Sequence, residues 1–263
     1  MSVNTFYNED CLLTMKNMEN DYVDMILTSP PYDDLRNYNG HYSFDFEPIA
    51  LELFRILKNG GVLVWIVADG TINGGETLTS FKQVLYFQKI GFTVHDTMIY
   101  QKNYFKNSNP NRYYSNFEYM FILSKGKPKT ANLIRDRKNK SAGSKISGTQ
   151  RTKDGKMIPK SGVNKNKRIK EFGIRGNVWL YPSGGKHSTK DSFAYKHPAI
   201  FPEALVKDNI LTWSNEGDIV YDCFAGSGTT GKIAKELNRN FILSEINEEY
   251  ADIIHKRINL DKT

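Results

Sequence analysis

Six apolar residues in a row, Val62-Leu63-Val64-Trp65-Ile66-Val67, follow Gly60-Gly61 and precede Gly70. An uninterrupted apolar run of this length, bounded by glycines, reads as a parallel strand buried on both faces. Such a strand must be covered above and below, which calls for helices on both sides of a sheet. The neighbouring sequence supplies them. Residues 48–57 place Ile49, Leu53, Ile56 and Leu57 at i, i+4, i+7 and i+8, a helix that Asn59-Gly60-Gly61 is expected to end. Residues 78–90 read as another amphipathic helix, stopped at Gly91. Further helices are expected at 11–18, 202–212, 229–237 and 248–258, and strands at 4–7, 22–27, 218–222 and 240–244. Residues 92–101 and 117–124 read as an antiparallel hairpin across the loop 102–116, and 33–45 as a polar loop. The expected fold class is α/β: a Rossmann-like, doubly wound, mostly parallel sheet with one antiparallel hairpin.

The alternation stops between 125 and 176. That stretch holds 17 Lys/Arg and 3 Asp/Glu, a balance of +14, while the remainder holds 19 and 26, a balance of −7. A basic segment on an acidic body implies a polyanionic partner, most often nucleic acid; the alternative is a solvated, partly disordered loop. The segment is either an inserted recognition lobe or a linker that orders on binding. The expected organisation is therefore 1–124, an inserted 125–176, and 177–263. The longest apolar run falls far short of the roughly 20 residues of a membrane span. Residues 1–4 lack the basic-then-apolar start of a secretory leader. Cys11 and Cys223 are far apart and show no metal-ligand spacing. A reduced, cytoplasmic protein without a structural metal or a membrane partner is expected.

Two stretches carry chemistry. Thr28-Ser29-Pro30-Pro31-Tyr32 follows the apolar Met25-Ile26-Leu27. Neither proline has an N–H for a sheet ladder, so the chain must leave the sheet here in a rigid turn. Fixed carbonyls at Ser29 and Pro30, with a hydroxyl before and a ring after, suit a planar group bearing an amino substituent, such as a nucleobase. A plain proline turn with a packed tyrosine is the alternative. The second stretch, Asp222-Cys223-Phe224-Ala225-Gly226-Ser227-Gly228-Thr229-Thr230, lies where a strand ends and a helix begins. Glycines there let a ligand approach the backbone, and Glu245, ending the next strand, can accept the hydroxyls of a ribose. The pair predicts an adenosine-containing cofactor. Gly226 to Lys232 also fits G-x-x-x-x-G-K, but Ile233 stands where a phosphate-binding loop needs a magnesium-binding hydroxyl. Lys232 is expected to be an exposed helix residue.

Together the two motifs resemble the amino-methyltransferases of DNA, whose signatures are (Asp/Asn/Ser)-Pro-Pro-(Tyr/Phe) and Phe-x-Gly-x-Gly. The order here, Ser29-Pro30-Pro31-Tyr32 early, a basic lobe, then Phe224 to Gly228, resembles the permuted beta group. His197 to Glu203, Asn8 to Cys11 and Asn111 to Glu118 resemble further segments of that family, so the likeness covers most of the chain outside the lobe. It implies transfer of a methyl group from S-adenosylmethionine to an exocyclic base nitrogen after base flipping. Ser29, Pro30, Pro31 and Tyr32 would be catalytic. Glu245 would hold the ribose and Asp10 the adenine amino group. Asp222, Phe224, Gly226 and Gly228 would shape the cofactor turn, with Thr28, Phe201, Thr229 and Thr230 near the methionine part. Cys223 stands where the family often has proline.

Serine at the first motif position, and Leu35-Arg36-x-Tyr38 beyond it, resemble the N4-cytosine enzymes; N6-adenine is the alternative. A binding protein that has lost catalysis, or an RNA or protein amide methyltransferase of the same fold, is a more distant one. The expected partner is double-stranded DNA, engaged through 125–176, where Arg135, Arg137, Arg151 and Arg168 are candidates for base reading. The resemblance leaves open a monomer or a homodimer, and a cognate restriction endonuclease or none.

Overall fold

The computed structural model describes residues 1–31, 44–103, 111–160, 167–185 and 187–259. It has two compact units, Leu133–Gly176 and the remainder of the chain. In chain order the larger unit contains β1 (Thr5–Tyr7), α1 (Cys11–Lys16), β2 (Val23–Thr28), α2 (Phe46–Ile56), β3 (Leu57–Val67), a short ribbon of β4 (Thr71–Ile72) and β5 (Gly75–Glu76), α3 (Thr79–Lys89), β6 (Thr93–Gln101) and β7 (Phe117–Ser124). The smaller unit contributes β8 (Arg137–Lys138), β9 (Thr149–Arg151), β10 (Met157–Pro159) and β11 (Phe172–Gly173). The larger unit then resumes with β12 (Val178–Leu180), α4 (Glu203–Trp213), β13 (Ile219–Asp222), α5 (Thr229–Glu236), β14 (Asn240–Ser244) and α6 (Glu248–Asn259). The eight-stranded sheet runs β1-β14-β13-β2-β3-β7-β6-β12. Every pairing is parallel except those of β7, which is antiparallel to β3 and β6. The α/β class with its hairpin is as expected from the sequence.

The run at 62–67 lies at the centre of this sheet, and all six of its residues are buried. It is parallel to β2 on one side and antiparallel to β7 on the other, so it is the seam between the two parts of the sheet rather than a wholly parallel strand. Successive side chains point to opposite faces. Leu63, Trp65 and Val67 join a cluster with Ile49, Leu53 and Ile56 of α2 and Met15 of α1. Val62, Val64 and Ile66 face the other layer, where α4 packs across β2 and β3. The Trp65 indole N–H donates to Gln83 Oε1 at 2.9 Å, which satisfies the one polar atom that this strand buries.

The sequence placed most elements to within two residues, with one instructive exception. Asn59-Gly60-Gly61 does not end α2, which stops at Ile56 and passes directly into β3. Pro48 sits in the first turn of α2, where no intrahelical N–H is needed. The glycines instead form an irregularity in the β2–β3 ladder, where Val23 pairs with Leu57 but Met25 pairs with Val62. Gly60 adopts φ +81 and its N–H donates to the Lys125 carbonyl at 2.6 Å. A Cβ on Gly61 would lie 2.8 Å from the Asp24 carbonyl oxygen, closer than real Cβ contacts allow. The expected loop at 33–45 lies, apart from its last two residues, outside the described residues.

Leu133–Gly176 is built of nested antiparallel pairs. β8 pairs with β11, Lys145 bridges to Arg168, and β9 pairs with β10. Backbone bonds between these levels, such as Gly143 N–H to the Ile169 carbonyl at 2.9 Å, continue the ladder. Among its described residues no hydrophobic side chain is buried. The unit is held by backbone hydrogen bonds, by the Arg175–Asp136 ion pair, and by Arg137 and Arg168, which donate to the carbonyls of Ile174 and Gly143. No helix among the described residues is long and apolar enough to cross a membrane.

This division of roles gives a stability contrast. Leu63→Ala empties a site in the seam strand and should cost about 2–5 kcal/mol in urea unfolding. Leu85→Ala, at a position on α3 that is 63% exposed, should stay within about 0.5 kcal/mol of wild type.

Candidate active site

The chain leaves β13 through α5 to β14 on one side, and leaves β2 through α2 to β3 on the other. The carboxyl ends of the adjacent strands β13 and β2 therefore flank the point where the direction of winding reverses, where open α/β sheets form a ligand crevice. Asp222 ends β13 and Thr28 ends β2, and the two touch. The Thr28 hydroxyl donates to Asp222 Oδ1 at 2.7 Å, and the Phe224 N–H donates to the same oxygen at 3.1 Å. The Thr230 hydroxyl, from the first turn of α5, donates to Oδ2 at 2.6 Å. One carboxylate thus ties the two stretches together. Burial pushes the Asp222 carboxyl up to about 6, against the three hydrogen bonds that favour its ionised form.

Beyond Asp222 the backbone turns through Gly226 at φ +52 and Gly228 at φ +75, both in the left-handed region. A Cβ on Gly226 would lie 2.8 Å from Nε2 of His197, so the imidazole packs directly against the turn. His197 Nδ1 accepts the Ala199 N–H at 3.1 Å, and its ring meets Tyr250 edge-on at 4.3 Å. Glu245 lies beside the turn. Its Oε2 accepts the Gly226 N–H at 2.8 Å and its Oε1 accepts the Asn247 N–H at 2.9 Å. Burial raises the Glu245 carboxyl above the usual range, while these backbone N–H groups oppose the shift. A carboxylate has about four lone-pair sites, so both oxygens retain capacity for two further donors, as a ribose diol would supply. The Asn8 amide donates to the Glu245 carbonyl at 2.8 Å, which brings the end of β1 alongside. Asp10 follows there, exposed, its Oδ1 capping α1 through the Leu12 N–H at 2.7 Å. A rigid glycine turn with flanking carboxylates fits an adenosine group.

Of the remaining expected residues, Ser29 and Pro31 are half-buried and Pro30 is buried at the end of β2. Tyr32 and Leu35-Arg36-x-Tyr38 lie outside the described residues. Phe224 is half-buried against Phe44 and Trp65, and Phe201 is half-buried just before α4. The hydroxyls of Thr28 and Thr230 are spent on Asp222, and that of Thr229 accepts from Arg257 at 2.8 Å. In the 111–118 segment, Arg112 pairs with Glu76 and Glu118 is buried in an ion pair with Lys102, while the Tyr113 side chain is fully exposed.

One group escaped the sequence reading. Lys232 is not an exposed helix residue: its ammonium contacts Asp191 at 2.8 Å and Glu203 at 3.0 Å. Arg257, wholly buried, joins the same two carboxylates and also reaches the glycine turn. Four charges drawn from the 188–203 segment, α5 and α6 carry no local signal; only the i, i+4 spacing of the apolar Tyr250 and Ile254 marks that face of α6 as inward.

A family model described as DNA methylase, for the N6- and N4-amino enzymes, matches residues 23–256. The chain belongs to this family. This DNA methyltransferase is 56% identical over 238 residues to the orphan methyltransferase M.BamHII of Bacillus amyloliquefaciens, covering 90% of this chain and 88% of that protein. It is 30% identical over 272 residues to the DNA adenine methyltransferase YhdJ of Escherichia coli (strain K12), covering 97% and 83%. Its structure matches the PvuII DNA methyltransferase (cytosine-N4-specific) with a TM-score of 0.67 at 17% identity, over 98% and 94% of the two chains. The methyl donor of the family is S-adenosylmethionine, in keeping with the glycine turn and Glu245.

Asp222 makes the stability of this methyltransferase pH-dependent. Its pKa is about 6 in the folded protein against 3.8 ordinarily, so the native state holds the extra proton between those values. The stabilising contribution is complete below the lower value, falls as pH rises through the upper one, and spans about 3 kcal/mol. Asp222→Asn removes this slope. The stability advantage of wild type over the variant should shrink by that amount between acid and neutral pH, measured by urea unfolding across the series.

Proposed function

We propose that this DNA methyltransferase modifies the exocyclic N4 of cytosine, and that the turn at Ser29-Pro30-Pro31-Tyr32 is its catalytic element. The observation that carries the choice is Ser29 at the first position of the motif. An exocyclic amino nitrogen is a poor nucleophile because its lone pair is delocalised into the ring. The Ser29 hydroxyl oxygen and the Pro30 carbonyl accept its two N–H groups, draw it toward tetrahedral geometry and free that lone pair for in-line attack. Bound S-adenosylmethionine supplies the electrophilic methyl group. Positioning and electrostatics account for the rate. Tyr32 stacks on the base, which must leave the duplex. The Thr28–Asp222 bond holds the backbone that carries Ser29 against the cofactor turn, where Glu245 takes the ribose and Asp10 the adenine amino group.

DNA binding falls to the basic 125–176 segment. Arg137 and Arg168 are engaged by backbone carbonyls of that segment. The side chains of Arg135 and Arg151 are exposed and have no hydrogen-bond or ion-pair partner among the described residues, which favours them for base edges. A second reading, N6-adenine, is favoured by the 30% identical relative named as an adenine methyltransferase.

Mass spectrometry of nucleosides from DNA methylated by the purified protein should show N4-methylcytosine; N6-methyladenine alone overturns the assignment. Ser29→Ala should lower kcat by about 10²–10³-fold, and wild-type turnover in both Ser29→Ala and Tyr32→Ala would refute the catalytic turn. For the basic segment, each lysine or arginine that neutralises a phosphate and is replaced by alanine should reduce the salt slope of log K by about 0.9. Binding titrations across sodium chloride concentrations measure this, and unchanged slopes throughout 125–176 would place the DNA elsewhere.

A further inference from the structure

We propose that Arg257, on the last helix, is a positioning residue for the cofactor turn, and that Asp191, Glu203 and Lys232 act through it. The inference rests on the reading of 224–230 and Glu245 as the cofactor site. Arg257 lies 29 positions beyond Gly228, yet its guanidinium reaches both residues flanking that glycine. Nη1 donates to the Ser227 carbonyl at 3.0 Å, to Ser227 Oγ at 3.1 Å and to Thr229 Oγ1 at 2.8 Å. The other edge of the fork faces acids: Nε donates to Asp191 Oδ2 at 3.0 Å and Nη2 to Glu203 Oε1 at 2.8 Å. Nη2 also reaches Thr189 Oγ1 at 3.3 Å. The side chain has no exposed surface, so its charge is sustained by these partners among the described residues.

Gly228 is held in the left-handed region at φ +75, and Ile254, one turn before Arg257 on α6, would lie 3.1 Å from a Cβ placed on it. The last helix therefore backs the turn at two points. Lys232, in the first turn of α5, shares both carboxylates with Arg257, so two cations meet two anions. Asp191 and Thr189 belong to the segment that continues to His197, whose ring packs on Gly226. The network thus fixes the turn from behind together with the segment that walls it. Arginine suits the position because its planar fork presents donors in two directions at once. A lysine ammonium can pair with the acids or reach the turn, but it cannot span both.

The test uses the full chain with Arg257→Lys, which keeps the charge, and Glu203→Gln, a milder variant that keeps an acceptor for the guanidinium. Calorimetry measures binding of S-adenosylhomocysteine, the demethylated cofactor. Steady-state methylation gives separate KM values for S-adenosylmethionine and DNA, amide exchange follows residues 226–230 without ligand, and thermal unfolding gives Tm. Arg257→Lys should bind the product analogue about tenfold more weakly and raise the cofactor KM to match. Its DNA KM and kcat should stay near wild type, its Tm should fall, and its 226–230 amides should exchange faster. Glu203→Gln should move the affinity and the cofactor KM in the same direction by about threefold. Wild-type affinity and exchange in Arg257→Lys overturn the proposal. So does a uniform loss of kcat, both KM values and Tm in both variants, which marks a purely structural ion cluster. Glu245→Ala separates the two readings. If it binds the analogue like wild type, the cofactor site itself is misplaced. If it fails to bind while Arg257→Lys binds normally, only the role of Arg257 falls.

Discussion

The buried carboxylate of Asp222 is the interaction on which the working end of this protein depends. Two parallel strands ending side by side leave two loops that have no reason to hold a fixed relation. A single carboxylate that accepts from Thr28, Thr230 and the Phe224 N–H supplies that reason. The arrangement carries a cost. Desolvation outweighs the three hydrogen bonds and raises the carboxyl to about 6, so ionising it in place opposes folding. The apolar core absorbs that cost. Trp65, Phe87 and the β2 and β3 side chains are buried around the strands whose ends Asp222 joins.

A second electrostatic layer stands behind the first. The quartet of Asp191, Glu203, Lys232 and Arg257 is charge-balanced and draws on the 188–203 segment, α5 and α6. Removing any one partner would leave the others uncompensated, so the four charges stand as a set. The Leu133–Gly176 unit is built on opposite terms. It buries no hydrophobic side chain among its described residues, and its form depends on a backbone ladder closed by arginine–carbonyl bonds. A surface freed from core packing can carry 14 basic residues against 3 acidic ones, a composition suited to a polyanion and not to a self-sufficient fold.

Much of the fold was legible because its signals are local. Period and run length located the central strand and the helices around it, and the paired strands 92–101 and 117–124 followed from their patterning. The glycines at 60 and 61 misled because a left-handed glycine serves a helix end and a strand irregularity equally well. Which use applies is set by the partner strand, here by the Asp24 carbonyl that Gly61 must clear. Lys232 misled for a related reason. Its place in a helix suggested solvent, whereas the acids that pair with it lie 29 and 41 positions away.

By itself the sequence determined the alternating architecture, the two motifs and their order, and the concentration of positive charge in one segment. These depend on residue types and spacings within short windows: prolines that cannot join a ladder, glycines that accept left-handed backbone, apolar runs that must be covered. Tertiary structure alone decided that β3 is the seam where a parallel sheet turns antiparallel, that Asp222 is the tie between the motifs, and that Arg257 reaches back to the glycine turn. Each of those depends on which strand lies beside which and on groups brought within 3 Å across long stretches of chain. A carboxylate or a guanidinium looks the same in sequence whether it meets water or a buried hydroxyl; the sheet order decides which it meets.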